Sequence, residues 1–447
     1  MHRLPSSLLI PIFLVLAAHP CLLPASSARP LSWDHPVSKI AFGSCNSETL
    51  DQQIFQSIAN AKPDLFIWLG DAIYADRPIW TTWCCTPRLE IMKKKYSLQR
   101  ESPPYANLAK NVPIVGVWDD HDYGENNAGK SFAYKLESQQ LYLDFLEEPS
   151  DSPRRKNPGV YTSYDLPGPD SDADIKIILL DVRFNKPDLF EGEDLLGEEQ
   201  WRWLEQELSQ SRAKIHIIGS GIQILPDNLI IQEYWNTYPS SRRRLFELFK
   251  TYKTPNVLLI SGDVHHAEIL KIPNTCTHIG QDVYEFTSSG LTHTCTNLLG
   301  PACKWILKHI QQTPYHIDNS HYVELNWGEI YINWDKKNVT LYIRDISGDA
   351  AYNLTYPLNQ EVQTSLVHES SYDQDNSTFF ICDRPARFYH QIPLKSWLQM
   401  FIVLILFILL IAFSVYLLIR EKRAHPHSKN SYTNLPCSTD STKKKQT

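Results

Sequence analysis

"VPIVGVWDDHDYGEN", residues 112–126, sets the reading of everything around it. An apolar run with no alternation, Val112 to Val117, breaks off into Asp119, Asp120, His121 and Asp122. A short run of Ile, Val, Leu or Phe stopped by polar residues is the pattern of a strand covered on both faces. Ending such a strand on clustered carboxylates costs on the order of several kcal/mol per buried ion unless positive charge compensates it. The stretch therefore predicts a buried strand that delivers acids to a cationic partner.

The same signature recurs in "KIAFGSC" (39–45), "DLFIWLGD" (64–71), "IKIILLD" (175–181) and "NVLLISGD" (256–263), while "AKIHIIGSG" (213–221) has the run without the acid. These read as buried strands feeding one rim. Between them lie helical patterns. "ETLDQQIFQSIANA" places Leu50, Ile54, Phe55 and Ile58 on one side, and "GEEQWRWLEQELSQ" does the same with Trp201, Leu204 and Leu208. Alternating strands and helices predict an α/β layered core. In "HYVELNWGEIYINWDKKNVTLYIRD" (321–345), Ile330, Ile332 and Trp334 alternate and face Val339, Leu341 and Ile343 across "DKKN", an antiparallel hairpin closing the domain with the Asn338 sequon in its turn.

Ligands of α/β sheets gather beyond the carboxyl ends of the strands. Those ends carry Cys45; Asp71, Tyr74 and Asp76; Asp119, Asp120, His121 and Asp122; Asp181 and Arg183; and Asp263, His265 and His266. One Asp at a strand end is commonly a helix cap or turn residue. Acids at four separate strand ends, joined by imidazoles, a phenol and a thiol, form the donor set of a multi-metal site. Asp263 and His265, two residues apart in an extended segment, point to the same side. Cys45 reads either as a disulfide half or as a thiolate ligand. With Tyr74 it would favour ferric iron, whereas the carboxylates alone suit a hard ion. Arg183 reads as a bidentate phosphate clamp or as a structural ion-pair partner. Trp80, Trp83, Trp235 and the run Arg242 to Arg244 read as cleft lining or as core and surface.

Taken together and in order, "FGSCN", "WLGDAIYAD", "VWDDHDYGENNAG", "LLDVR", "LGEEQWRWLEQEL" and "LISGDVHHAE" closely resemble the motifs of the PhoD-like (alkaline phosphatase D) metallophosphatases, over about Lys39 to Asp345. The resemblance implies a four-layer α/β/β/α sandwich and metal-dependent hydrolysis of phosphate esters, with Fe3+ and Ca2+ at a multinuclear site. It implies Cys45, Asp71, Tyr74, Asp263 and His265 as metal ligands and His121 as the catalytic histidine. Asp120 stands where the wider metallophosphatase pattern has an Asn ligand, with Asp119 beside it and Asn126 as a further candidate. The chain's "GSCN" replaces the Asp and His of the wider pattern's first motif, which bears on the metal's identity. Cleavage of phosphodiesters by the same centre, and a non-catalytic receptor ectodomain, are the rival readings.

At a net charge of −7 with acids and bases interspersed, the chain lacks the basic footprint that nucleic-acid binding needs. Residues 1–28 read as a signal peptide, with an apolar stretch from Leu8 to Ala18 and small residues Ser26 and Ala28 at the cleavage site. Trp397 to Ile419 carries no charge and is long enough to cross a bilayer, with Arg420, Lys422 and Arg423 marking the cytoplasmic side. The expected order is a signal peptide (1–28), a phosphatase domain (29–356), a polar stalk (357–396), a membrane helix (397–419) and a cytoplasmic tail (420–447). The domain would face the lumen or the outside. Sequons at Asn338, Asn353 and Asn376 agree with that side. So do seven cysteines, Cys45, Cys84, Cys85, Cys276, Cys295, Cys303 and Cys382, which favour disulfides and leave at least one unpaired. In the tail, "KKQT" resembles an endoplasmic-reticulum retrieval signal and "YTNL" (432–435) an endocytic one, each a contact for a sorting receptor. The endoplasmic-reticulum membrane is favoured, with the cell surface or endosome as the alternative.

Overall fold

The computed structural model describes residues 31–76, 88–188, 192, 194–226, 233–309 and 313–358, together with Ile405, Leu409 and Phe413. One sheet is made of β1 (Lys39–Gly43), β2 (Leu65–Leu69), β3 (Ile114–Val117), β10 (Asn326–Asn333), β11 (Asn338–Asp345) and β12 (Ala350–Pro357). Their order is β12-β11-β10-β1-β2-β3. The other consists of β4 (Thr162–Leu166), β5 (Ile175–Leu180), β6 (Ile215–Ser220), β7 (Val257–Ser261), β8 (Ala267–Ile272) and β9 (Val283–Ser288), in the order β4-β5-β6-β7-β9-β8. Strands β1, β2 and β3 run parallel, as do β5, β6, β7 and β9, so each sheet brings several carboxyl ends to one edge.

All the apolar runs are strands, and packing explains why none alternates. Ile177 and Leu179 enter the core shared with the first sheet, whereas Ile178 and Leu180 enter a second core. That second core holds Trp201, Leu204 and Leu208 of α6 (Glu198–Gln210) and Leu245, Phe246 and Phe249 of α7 (Pro239–Thr251). The first core is filled from the other side by α1 (Ile54–Ala61), α2 (Arg88–Glu101), α3 (Pro103–Asn111) and α5 (Lys135–Phe145), with the single turn α4 (Asp120–Tyr123) at the edge. The result is a mixed α/β fold of two stacked sheets with helices on their outer faces. Phe42 and Phe286 meet edge to face at 4.8 Å between the sheets, the arrangement aromatic quadrupoles prefer.

The hairpin forms as predicted, with Ile330 opposite Leu341 and Ile332 opposite Val339, but Ile343 stands opposite Gly328 and Trp334 lies just beyond the end of β10. Three other details differ from the sequence reading. Helix α1 begins at Ile54, which leaves Leu50 46% exposed rather than on the apolar side. Asn338 is the first residue of β11, paired with Asn333 and Pro357, and does not lie in the turn. A third strand, β12, follows the hairpin and carries Asn353 exposed along its outer edge.

The segments read as signal peptide, stalk and tail lie outside the described residues. So does the apolar stretch 397–419, except that Ile405, Leu409 and Phe413 are helical and exposed. No helix among the described residues is long and apolar enough to cross a membrane.

Candidate metal centre

Two glycines let the strand ends meet. Gly70 sits at φ +92°, and a Cβ there would lie 2.3 Å from the Asp119 Cβ. Gly262 packs so closely that a Cβ would lie 2.5 Å from the Leu69 carbonyl, which binds the end of β7 to the end of β2. Any larger residue would push these strand ends apart. At the same turns Cys45 (φ 60°), Asp71 (φ 52°), Asp263 (φ 71°) and His265 (φ 57°) all occupy the left-handed region. Non-glycine residues enter it seldom, and such strain concentrates at functional sites. Here it marks the turns that bring Asp71 and Asp263 into one cluster and Cys45 Sγ to within 3.5 Å of Asp71.

Carboxylate oxygens of Asp71, Asp119, Asp120 and Asp263 lie within 4.8 Å of one another, and Asp71, Asp120 and His121 form an overlapping group. Asp71 and Asp120 belong to both. Cys45, fully buried and the one free cysteine among the described residues, places Sγ 3.5 Å from Asp71 Oδ2 and 3.0 Å from Ser289 Oγ. Cys295 and Cys303 are joined in a disulfide, and Cys276 is disulfide-bonded too. Tyr74 is fully buried, its ring 4.0 Å from that of His121. The His265 backbone N–H donates to Ser289 Oγ at 2.9 Å, so one serine buttresses both the thiol and the histidine.

The electrostatics show how unstable this gathering is alone. Burial, then the charges of Asp120 and Asp119, hold Asp71 well above the usual carboxylate range. Burial, then Asp119 and Asp120, do the same to Asp263. Burial, then Asp71 and Asp263, keep the Cys45 thiol up. Asp119 is pushed up to about 6 by burial, which the Arg183 charge only partly offsets. Burial opposes ionisation of Asp120 as well, but there the Arg183 charge wins and the carboxyl is held low. Asp119 Oδ2 and Asp120 Oδ1 are buried with no hydrogen-bond partner among the described residues. Orphaned carboxylate oxygens beside repelling neighbours fit bound cations, since an unmatched buried polar atom costs about 1–3 kcal/mol and a charged one more. The donor set is one for iron or another transition ion at the thiol and imidazole side and for hard ions among the carboxylates.

Around this core lie residues of other kinds. Arg183 is fully enclosed, with Nε donating to Asp119 Oδ1 at 2.5 Å, Nη1 paired with Glu233, and Nη2 4.0 Å from Asp120 Oδ2. The guanidinium thus lies among the acids as an internal counter-charge. His121 Nδ1 is 2.7 Å from Asp76 Oδ1, which fixes the ring's orientation. Burial opposes ionisation of Asp76, yet the His121 bond and charge hold it below the usual range. Asn126 is exposed, and its backbone N–H contacts Asp76 Oδ2 at 3.3 Å; the structure does not bring it among the buried acids.

Two acids of the same sequence pattern serve the backbone instead. Asp122 accepts from the N–H groups of Ala72 and Ile73 at 3.1 and 3.3 Å, and burial pushes it up to about 7. Asp181 accepts from Val160 at 2.8 Å, Arg183 at 2.8 Å and Phe184 at 2.9 Å. Trp235 is core, donating to Ser220 Oγ at 3.0 Å. Arg242 is buried against the Leu225 carbonyl, and Arg244 pairs with Glu198. None of these lines the cluster, and Trp80 and Trp83 lie outside the described residues. His293 is the residue the sequence reading missed. Its ring sits 4.9 Å from Tyr74 and 4.7 Å from His265. Only the docking of the loop after β9 brings it there, through Thr292 Oγ1 accepting from the Ser47 N–H at 2.7 Å.

A family model described as PhoD-like phosphatase matches residues 40–142 and 170–340. Alkaline phosphatase D of Bacillus subtilis (strain 168) is 25% identical over 273 residues, 52% of this chain and 46% of its own length. The chain therefore spans just under half of that curated relative. A solved structure of PhoD matches with a TM-score of 0.56 at 19% identity, covering 78% of this chain and 74% of that one. A purple acid phosphatase from yellow lupin (Lupinus luteus) seeds gives 0.47 at 13% identity, covering 72% and 54%. The likeness to the PhoD structure is one of fold.

Proposed function

This chain belongs to the PhoD-like phosphatase family, and from that premise we propose that it is a metal-dependent phosphoester hydrolase working at the Asp71 centre. The observation that carries the proposal is the meeting of Asp71, Asp119, Asp120 and Asp263 within 4.8 Å, with two buried oxygens left without partners. Asp71, Asp119, Asp120 and Asp263, together with Cys45, Tyr74 and His265, would hold the cations. A buried thiol and a buried phenol in the donor set support ferric iron, and the carboxylates support calcium. Cations bound there supply Lewis-acid chemistry for attack on phosphorus and for the charge that develops on its oxygens.

The protein's own groups orient and protonate. Asp76 accepts from His121 Nδ1 and fixes the ring, so that Nε2 is the nitrogen to give a proton to the leaving oxygen. The tilted contact with the Tyr74 ring at 4.0 Å restricts the His121 ring further. Arg183 acts as a positioning residue, holding Asp119 and Asp120 ionised while the site is loaded. Anchoring by the 397–419 segment, with the catalytic domain lumenal and the "KKQT" end favouring the endoplasmic reticulum, is part of the same proposal and is supported by the sequence alone. The test is hydrolysis of p-nitrophenyl phosphate and of bis-p-nitrophenyl phosphate by the purified full chain, before and after chelation. Turnover that chelator abolishes and added metal restores is expected. Turnover indifferent to chelator sinks the proposal.

A further inference from the structure

We propose a second metal site, separate from the Asp71 centre, in which His266, Glu268 and His321 bind a divalent transition ion of the zinc class at the β8 edge of the second sheet. Its ligand atoms lie within 4.8 Å of one another. Two imidazoles and a carboxylate are a zinc donor set, and they disfavour calcium and magnesium.

The chain builds this site by closing an edge. Strand β8 is the last of its sheet, and an open edge invites pairing with other chains. The segment 313–323 covers it. Ala267 N–H donates to the Tyr322 carbonyl and Tyr322 N–H to the Ala267 carbonyl, both at 2.8 Å, and Lys271 N–H donates to the Tyr315 carbonyl at 2.7 Å. This register places His321 Nε2 3.0 Å from Glu268 Oε2 and stacks its ring on His316 at 3.7 Å. His316 is the buttress. Its Nε2 lies 3.2 Å from the hydroxyl of Ser320, which itself donates to the Ile269 carbonyl at 3.0 Å.

The remaining geometry is that of prepared ligands. His266 Nδ1 lies 2.8 Å from the Val264 carbonyl, and a carbonyl can only accept. Nδ1 therefore carries the proton, which leaves a lone pair on Nε2 when the ring is neutral. That Nε2 is buried without a hydrogen-bond partner among the described residues, in a residue only 3% exposed, and it faces Glu268 Oε1 at 3.4 Å. A bare imidazole lone pair facing a carboxylate is repulsive unless a proton or a metal cation lies between them, and the absence of a hydrogen-bond geometry at Nε2 favours the metal. Glu268 is itself held in place, since Gln223 Nε2 donates to its Oε1 at 2.7 Å and to Thr287 Oγ1 at 2.8 Å. Such outer bonds are what orients the ligands of a metal site. A cavity of about 10 Å³, lined also by Pro226, Tyr234, Leu307 and Thr313, lies beside the three side chains and is the size of a single water as fourth ligand.

The test counts zinc. Full-length protein stripped of metal is titrated with Zn2+ against a chromophoric chelator, alongside His321→Ala and Glu268→Gln. The unsubstituted chain is expected to take up about one equivalent more than either variant, while uptake attributable to the Asp71 centre is unchanged. Because the result is a difference between chains that share that centre, it stands or falls apart from the phosphatase reading. Equal uptake by all three overturns the proposal, and the cluster is then a carboxylate held by a protonated imidazole. Should the variants fail to fold, anomalous scattering at the zinc edge from crystals of the unsubstituted full chain decides. A peak among His266, Glu268 and His321 is expected, and its absence at saturating zinc overturns the proposal.

Discussion

Replacing Arg183 with Met keeps the aliphatic stem, removes the guanidinium and separates the two roles the sequence leaves open for this residue. The side chain is fully enclosed and shared between Asp119 and Glu233. Removing one partner of a buried ion pair costs about 3–5 kcal/mol. A proton can limit the loss here. Asp119 already stands at about 6 with the arginine present, so protonating it at pH 7 costs no more than about 1.4 kcal/mol, the free energy of one pKa unit. Loss of the charged hydrogen bonds adds about 1.5–3 kcal/mol. Glu233, with a side chain 20% exposed, recovers much of its hydration. The expected loss is about 3 kcal/mol at pH 7.5, read from urea unfolding followed by circular dichroism. Its pH dependence has a fixed sign. The variant raises the Asp119 pKa further, so the deficit is smallest below about pH 6, where both proteins hold this carboxyl protonated, and grows as pH rises above it. A variant within about 0.5 kcal/mol of the unsubstituted protein at pH 7.5, altered only in KM, would mean that Arg183 contacts substrate and is not the internal counter-charge.

Substituting His121→Ala should lower kcat by about 10²-fold or more on an alkyl phosphate and much less on p-nitrophenyl phosphate, whose leaving group needs no proton; equal losses on both would remove the general-acid role. Burial pushes Glu285 up to about 7 from 4.5, against the backbone bonds it accepts from Leu225 and Ile224. Its contribution to stability is therefore greatest below pH 4.5 and declines as pH rises toward 7, by about 3 kcal/mol in all. Glu285→Gln should flatten the fall in unfolding midpoint between pH 5 and pH 8, and an unchanged slope would refute the assignment. If the domain faces the lumen, Asn353, exposed on β12, should carry glycan in the expressed protein. Peptide mapping after enzymatic deglycosylation checks this, and an unmodified Asn353 would count against that sidedness.

Strands were the most legible part of the fold, because runs such as "IKIILL" leave no polar face to be wrong about. Their division between two sheets was not legible from the runs themselves. A strand buried on both faces looks the same whether a helix or a second sheet covers it. Strands β4, β8, β9 and β12 were missed: β4 and β12 are only partly buried, β12 alternating between exposed and half-buried residues on a sheet edge, while β8 and β9 are largely buried but interleave Glu268, Lys271 and Glu285 with their apolar residues. At the site, residue type and position at a strand end identified the gathered acids, but the same criterion selected Asp122 and Asp181. What separates them is which backbone N–H groups lie within reach, and tertiary approach alone decides that. His293 depends on a loop docking at Ser47, 245 positions from Thr292 in the chain, and the His266, Glu268 and His321 group on a segment that returns to Glu268 from His321. No spacing rule reaches across such distances.

Elemental analysis of the purified full chain and of Asp71→Asn, by mass spectrometry on protein dialysed free of loose ions, tests the central claim most directly. Asp71 belongs to both overlapping ligand groups, so the account predicts bound metal in the unsubstituted chain and the loss of the whole Asp71 centre, with phosphoester hydrolysis, in the variant. A folded, unsubstituted chain that carries no metal and takes none up, or an Asp71→Asn chain with unchanged metal content, would contradict it.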